Sequence, residues 1–195
     1  MELKNMMNFF RIIVWVNFIA LFAACKSSVE YHGASMKNYP DLANLVQSEL
    51  LPFEKDPYSF KLITRSEKGT DSNFLKASEI KWDEWNEPLQ KSDIYKKEFD
   101  NQYSISVTED TIASTLTLVY TTLNSSNFVQ KMTLTRSAAG DEIKHIYIEA
   151  REVGMSESEE LKIIFVPGKM IQLVEQGKKA FAKNKRQVRS LYFLN

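Results

Sequence analysis

Residues 161–175, LKIIFVPGKMIQLVE, place two short apolar runs on either side of a three-residue turn. Pro167-Gly168-Lys169 is a typical turn sequence, because proline presets one backbone torsion and glycine adopts conformations closed to other residues. Runs of this length around such a turn predict an antiparallel β-hairpin, in which Leu161–Val166 pairs with Met170–Glu175. The hairpin sets the pattern for the second half of the chain.

A period-two pattern of apolar and polar residues extends over most of the chain from Gln102 onward. It occurs in four more segments before the hairpin, and Val188–Leu194 closes the chain. Short links, such as residues 124–127 and 139–141, favour an antiparallel meander. We therefore predict about seven strands in this half. The apolar positions of the first four are Tyr103, Ile105 and Val107; Ile112, Leu116, Leu118 and Tyr120; Phe128, Met132 and Leu134, with Gln130 interrupting; and Ile146, Ile148 and Ala150.

The first half of the chain shows helical spacing. Pro40–Phe53 carries one apolar stripe and is predicted to be a helix with Pro40 in its first turn and Pro52 at its end. Tyr58–Arg65 alternates and predicts a strand, and Glu67–Asn73 predicts a loop around a glycine. In Leu75–Lys91 three residues share a helical face, in a helix that a proline keeps short. The stripe consists of Leu42, Leu45, Val46, Leu50 and Phe53, and the second face of Trp82, Trp85 and Leu89, with Pro88 as the proline.

These elements together predict an α+β fold. One face of an antiparallel sheet with alternating residues is apolar and needs a cover. The N-terminal helix and the tryptophan segment are the available covers. We expect a curved antiparallel meander of about seven strands packed against one or two N-terminal helices, in a single domain over residues 40–195.

Composition excludes several classes of protein. The chain has 195 residues, with 25 Lys and Arg against 25 Asp and Glu. This balance argues against a general nucleic-acid binder, which needs a basic excess. One cysteine and two histidines exclude a disulfide framework and a cysteine-rich zinc site. The six glycines are isolated, so no phosphate-binding loop is expected. We expect no metal and no cofactor.

The N-terminus has the pattern of a signal peptide. Lys4 and Arg11 lie in a basic start, and residues 12–24, IIVWVNFIALFAA, form an apolar run of 13 residues. A membrane-spanning helix needs about 20 apolar residues. The short run and its small-residue exit therefore predict a signal peptide over residues 1–24.

The exit, Leu21-Phe22-Ala23-Ala24-Cys25, resembles the lipobox of bacterial lipoproteins and departs from it only at Phe22, where leucine is commonest. The resemblance covers about 25 residues. It implies that signal peptidase II cuts before Cys25, that the thiol of Cys25 carries a diacylglycerol, and that a fatty acid such as palmitate is added to its amine. It therefore implies a lipid anchor in the cell envelope, with the membrane as a partner.

The residue after the cysteine bears on the location. Lys26 stands where an acidic residue can retain a lipoprotein in the inner membrane, so we expect the outer membrane. Residues 25–39 are polar and aperiodic and are interpreted as the lipidated cysteine and a tether, about 45 Å long if fully extended. The alternative is a signal anchor or an ordinary secretory signal, with Cys25 incidental.

Trp82 and Trp85 are candidates for ligand contact. Two indole rings on one face can stack against sugars, with Asp83 and Glu84 beside them as hydrogen-bond partners. The alternative is that both rings pack the helix onto the sheet, as large aromatic side chains commonly do.

A basic run precedes the last strand. Its charges can contact anionic lipid headgroups, and the alternative is a solvated loop whose charges deter edge pairing. The candidate lipid-contact residues are Lys178, Lys179, Lys183, Lys185 and Arg186, and Arg189 follows them.

Catalytic candidates are sparse. One strand carries a polar face that is typical of the water-facing side of a half-buried strand. Two carboxylate pairs suit glycosidic chemistry, but charged helix faces and loops commonly contain such pairs. We therefore expect no catalytic site and no enzyme. The polar face consists of His145, Tyr147, Glu149 and Arg151, and the pairs are Glu84 with Glu87 and Glu159 with Glu160.

Three functions remain open at this point. The first is a non-catalytic binding or scaffolding lipoprotein with a partner protein in the envelope. The second is a carrier of hydrophobic ligands, similar in architectural outline to the lipoprotein-localisation carriers and receptors of Gram-negative envelopes. The third is a glycan-binding module. An apolar cavity between helix and sheet favours the carrier, and exposed tryptophan rings favour the glycan-binding module.

Overall fold

The structure, a computed structural model, describes residues 28–31, 40–54, 57–139, 142–154, 157–179 and 182–194. The predicted signal peptide, Cys25 and the other lipobox residues, Leu21, Phe22, Ala23 and Ala24, lie outside this part.

The described residues form ten strands and two α-helices, with short 3₁₀ turns at 51–53, 77–79 and 97–99. The helices are α1 (Leu42–Leu50) and α2 (Asp83–Lys91). The strands are β1 (Ser28–Tyr31), β2 (Ser59–Ser66), β3 (Gly69–Lys76), β4 (Tyr103–Asp110), β5 (Thr115–Thr122), β6 (Val129–Ser137), β7 (Ile143–Val153), β8 (Glu157–Val166), β9 (Met170–Lys179) and β10 (Ala182–Leu194).

All the strands belong to one antiparallel sheet in the order β1-β4-β5-β6-β7-β8-β9-β10-β2-β3. β4 to β10 are the meander predicted from Gln102 onward, and each pairs with the next in sequence. The sheet as a whole is larger than the predicted seven strands, because β1, β2 and β3 join it from the first half. β1 and β3 are its two edges, so the sheet is open.

β3 lies where the sequence predicted a loop. Glu67 and Lys68 form the turn, and Gly69, with φ of 132°, begins the strand. The strand pairs along its whole length with β2, but all its side chains except that of Leu75 are exposed. An edge strand of this kind is held by backbone hydrogen bonds, so it needs no apolar alternation and the sequence shows none.

β1 lies within the predicted tether. Its four residues pair with β4 in a register that sets Ser28 opposite Thr108 and Tyr31 opposite Ile105. The sheet therefore begins three residues after Cys25. From Cys25 to the first paired residue the chain spans at most about 11 Å, instead of the 45 Å expected for a full tether.

A β-bulge explains the interruption at Gln130. The pairing of β6 with β7 shifts register between Val129 and Lys131, so Gln130 is the extra residue that a bulge inserts. As a result, Val129 and Met132 are both buried although three positions separate them. The hairpin turn between β8 and β9 is as predicted, with Gly168 at φ of 64° and the Lys169 amide donating to the Val166 carbonyl at 3.0 Å.

α1 and α2 cover one face of the sheet, as the pattern predicted. The fully buried sheet residues on this face include Phe60, Ile148, Ile163, Leu173 and Leu191, and they form one cluster with the inner sides of both helices. The helical residues in the cluster are Leu42, Val46, Leu50, Trp85 and Leu89.

Two aspartates fix the start of α1. The carboxylate of Asp41 accepts a hydrogen bond from the Asn44 amide at 3.1 Å, so Asp41 is the N-cap and the predicted Pro40 lies outside the helix. Asp93, buried just beyond α2, accepts from the Leu42 amide at 3.3 Å and from the Tyr95 amide at 3.1 Å. One buried carboxylate thus joins the end of the second helix to the beginning of the first.

Two isoleucine-to-alanine substitutions test the buried face. Ile148 is fully buried and Ile112 is 97% exposed. We expect Ile148→Ala to lower the free energy of unfolding by about 2–5 kcal/mol, because it leaves a cavity, whereas Ile112→Ala stays within about 0.5 kcal/mol. Urea unfolding measures both, and equal effects would contradict the assignment of the core.

Candidate functional site

A cleft lies on the covered face of the sheet, where α2 ends, and has a volume of about 440 Å³. α2 contributes Glu87, Pro88 and Lys91 to its wall, and the segment before β6 contributes Phe128. We call it the α2 cleft. The sheet residues that line it are Glu152, Glu159, Glu160, Leu161, Glu175, Gln176, Gly177, Lys185 and Gln187.

The register explains why charged residues line the α2 cleft. Ile148, Ile163 and Leu173 share a row across β7, β8 and β9 and are buried. Two rows further along the same face, Glu152 lies opposite Glu159, which lies opposite Gly177. Along its strands, this face therefore changes from apolar rows, which the helices cover, to charged rows, which the helices leave open.

Arg189 marks the boundary between the two zones. Its side chain is 19% exposed, and its guanidinium donates to Glu84 of α2 at 3.2 Å and to Glu175 of β9 at 2.9 Å. The guanidinium also lies over the Trp85 ring, 5.6 Å from the ring centre, as in a cation–π contact. One side chain therefore ties α2 to two strands at the edge of the core.

A second cation closes the other end of the α2 cleft. Lys91, in the last turn of α2, donates to Glu152 at 2.6 Å and lies 4.5 Å from the centre of the Phe128 ring. Both Lys91 and Glu152 are about half exposed. The pair therefore positions the end of α2 but adds little to stability.

The two tryptophans pack α2 onto the sheet. Trp85 is 4% exposed. Trp82 donates its indole N–H to the Ala77 carbonyl at 3.2 Å, and its ring stands edge-on to Phe60 with centroids 5.5 Å apart. Trp85 is therefore buried and Trp82 partly buried, so the two rings do not form an exposed pair.

The basic run lies on strands, where the sequence favoured a connection. Lys178 and Lys179 end β9, and Lys183, Lys185 and Arg186 belong to β10. The side chains of Lys178, Lys179 and Lys183 lie outside the described part. Lys185 lines the α2 cleft, and Arg186 is exposed.

The carboxylate pairs converge on the α2 cleft, which the sequence did not predict. Glu87 and Glu159 are in the cleft wall on the covered face. Glu160 is also in the wall, but its register position beside Arg151 belongs to the uncovered face, and Glu84 binds Arg189. The described residues contain no group of three or more His, Cys, Asp or Glu side chains that could hold a metal ion. The cleft therefore presents carboxylates and lysines to a polar ligand.

The polar face of β7 lies on the uncovered side of the sheet, away from the cleft. Tyr147 donates to Glu149 at 2.6 Å, and Lys162 lies 3.8 Å from the same carboxylate. Burial, the hydrogen bond to Glu149 and its charge raise the pKa of Tyr147 to about 12. Burial lowers the pKa of His145. Both shifts favour the neutral side chain, as on a half-buried strand surface.

A second cleft, of about 350 Å³, lies between the end of α1 and the turns after β6 and β8. Glu49, Glu142, Lys144 and Lys169 are in its wall beside Phe53. Neither of these two clefts is an apolar cavity. Between the helices and the sheet, buried side chains form one apolar cluster, whereas a carrier of hydrophobic ligands needs an apolar cavity there.

Comparison of the chain with protein-family models, curated proteins and solved structures gives no match. Within the described residues, no helix has the length and hydrophobicity needed to cross a membrane.

Replacement of Arg189 tests the boundary of the core. We expect Arg189→Leu to lower the free energy of unfolding by about 1 kcal/mol, because α2 loses its tie to β9 while Glu84 and Glu175, which are close to half exposed, stay hydrated. The matched change in the same strand, Arg186→Leu, removes an exposed arginine and should stay within about 0.5 kcal/mol. Urea unfolding measures both variants. If Arg189→Leu lowers the free energy of unfolding no more than Arg186→Leu does, Arg189 does not hold α2 to β9.

An alkaline titration tests the Tyr147–Glu149 pair. The raised pKa of Tyr147 means that the folded chain holds this proton after the unfolded chain releases it, so its contribution to stability is lost as pH rises from about 10 to about 12. We expect Glu149→Gln to lower the pKa of Tyr147, although burial keeps it above the ordinary value. Tyrosinate absorbance measures this pKa, and Tyr147→Phe identifies which part of the absorbance change comes from Tyr147. An unchanged titration in Glu149→Gln contradicts the pairing.

Proposed function

We propose that this chain is a lipid-anchored lipoprotein of the bacterial cell envelope that acts as a non-catalytic binding or scaffolding protein. The observation that carries the proposal is the position of Cys25, the only cysteine of the chain, directly after the apolar run and two alanines. A thiol at this position can form the thioether to diacylglycerol. Two or three acyl chains then anchor the protein durably, since each buried methylene contributes about 0.8 kcal/mol.

The start of the sheet supports the anchor. β1 begins three residues after Cys25 and pairs with β4. Mature protein that began at Cys25 would therefore keep every strand and helix of the described residues. With Lys26 after the cysteine, the proposal places the anchor in the outer membrane.

The lining of the α2 cleft supports a role in binding. Its wall combines five glutamates with two lysines and the ring of Phe128, a lining that suits a polar partner, such as a protein of the envelope.

A hydrophobic-ligand carrier is the second candidate. An open antiparallel sheet with helices on one face is similar in outline to such carriers. The proposal includes a sheet that curves around the helices, as strand twist favours. A carrier function would require α1 or α2 to move, because the buried cluster fills the space beneath them.

Metabolic labelling tests the anchor. Full-length protein is expressed in a bacterium with a clickable palmitate analogue, and its intact mass is measured. We expect acylation of the wild type, acylation of the control Ser27→Ala, which leaves Cys25 and the residues before it intact, and none of Cys25→Ala. A wild type that carries no acyl chain contradicts the proposal, since the protein would then be secreted or held by an uncleaved signal.

A further inference from the structure

The turn between β4 and β5 exposes an apolar side chain. Ile112 is 97% exposed, the highest value among the large hydrophobic residues of the described part. Residues 111–114, TIAS, carry no charge. Single exposed apolar residues are common on protein surfaces, so exposure alone assigns no role to Ile112.

The turn is well ordered by hydrogen bonds. Asp110 accepts from the amides of Ile112 and Ala113, each at 3.0 Å. The Ser114 carbonyl accepts from the Ala138 amide at 2.9 Å, which ties this turn to the end of β6. The fold therefore holds Ile112 outward from a fixed turn.

The register of β1 places the proposed anchor at the same strand ends as the β4–β5 turn. β1 runs antiparallel to β4, and its first residue, Ser28, lies opposite Thr108, two residues before β4 ends at Asp110. The start of β1 is thus the end nearest the turn. Cys25 precedes Ser28 by three residues and lies within about 11 Å of it.

We propose that the β4–β5 turn is a second membrane contact, in which Ile112 inserts among the lipids that hold the acyl chains of Cys25. The inference rests on the proposed lipidation. The acyl chains restrict these strand ends to the membrane surface. Residues 111–114 carry no charge of their own, so Ile112 at the tip of the turn can enter the interface while the Asp110 carboxylate, at the base of the turn, stays among the headgroups.

In this orientation the basic run, at the end of β9 and the start of β10, lies away from the anchoring membrane. The end of β9 and the start of β10 lie at the opposite strand ends from the start of β1, since successive strands alternate in direction. Lys185 and Arg186 near those strand ends therefore face the envelope space. The earlier hypothesis of anionic-lipid contact by the basic run conflicts with this orientation.

Site-specific photo-crosslinking tests the contact. Full-length protein is made in a bacterium with a photoreactive phenylalanine analogue at position 112 or, as the matched control, at position 153. Val153 is also an exposed branched residue, 64% exposed, but it ends β7 at the opposite strand ends. After irradiation, intact mass reports both acylation of Cys25 and adducts with phospholipid.

We expect acylated protein with at least about tenfold more phospholipid adduct at position 112 than at 153, the preference that burial of one large apolar side chain supports. Acylated protein with equal or no adducts at the two positions overturns the membrane contact and leaves the lipid anchor standing. Protein without acyl chains contradicts the anchor, and the inference that depends on it fails as well.

Discussion

Burial of one face of the sheet under α1 and α2 is the constraint on which the rest of the structure depends. The strands alternate, so each presents apolar residues to one side only, and that side must be kept from water. The row that contains Ile148, Ile163 and Leu173 forms one buried cluster with Trp85 and Leu89 of α2. Two nine-residue helices cannot cover a ten-stranded sheet completely. The charged rows of the same face, beyond Leu173 along β9, therefore stay open.

The open rows form the α2 cleft. The change from Leu173 to Glu175, one row along β9, shows that the sequence places charge where the helix no longer shields the sheet. Arg189 joins the two zones through Glu84, Glu175 and the Trp85 ring. The candidate site is therefore a consequence of how far the helices reach, and its charged lining follows from its exposure to water.

Much of the fold could be predicted from the sequence because the second half alternates so regularly. The hairpin around Gly168 is as predicted, and seven strands follow Gln102. β3 could not be predicted, because an exposed edge strand is specified by backbone pairing and has no apolar face to reveal it. The α2 cleft could not be predicted either. Glu87 on α2 and Glu159 on β8 are 72 positions apart in the sequence, and only the register of the sheet brings them to one cavity.

We propose that an acylated Cys25 holds the strand ends beside the β4–β5 turn against a membrane. Neutron reflectometry of the mature protein on a supported bilayer tests it most directly. We expect protein density to begin within about 11 Å of the lipid headgroups, the reach of the three residues before β1. A solvent layer approaching 45 Å, the length of an unpaired tether, or a protein that does not stay on the bilayer, would contradict it.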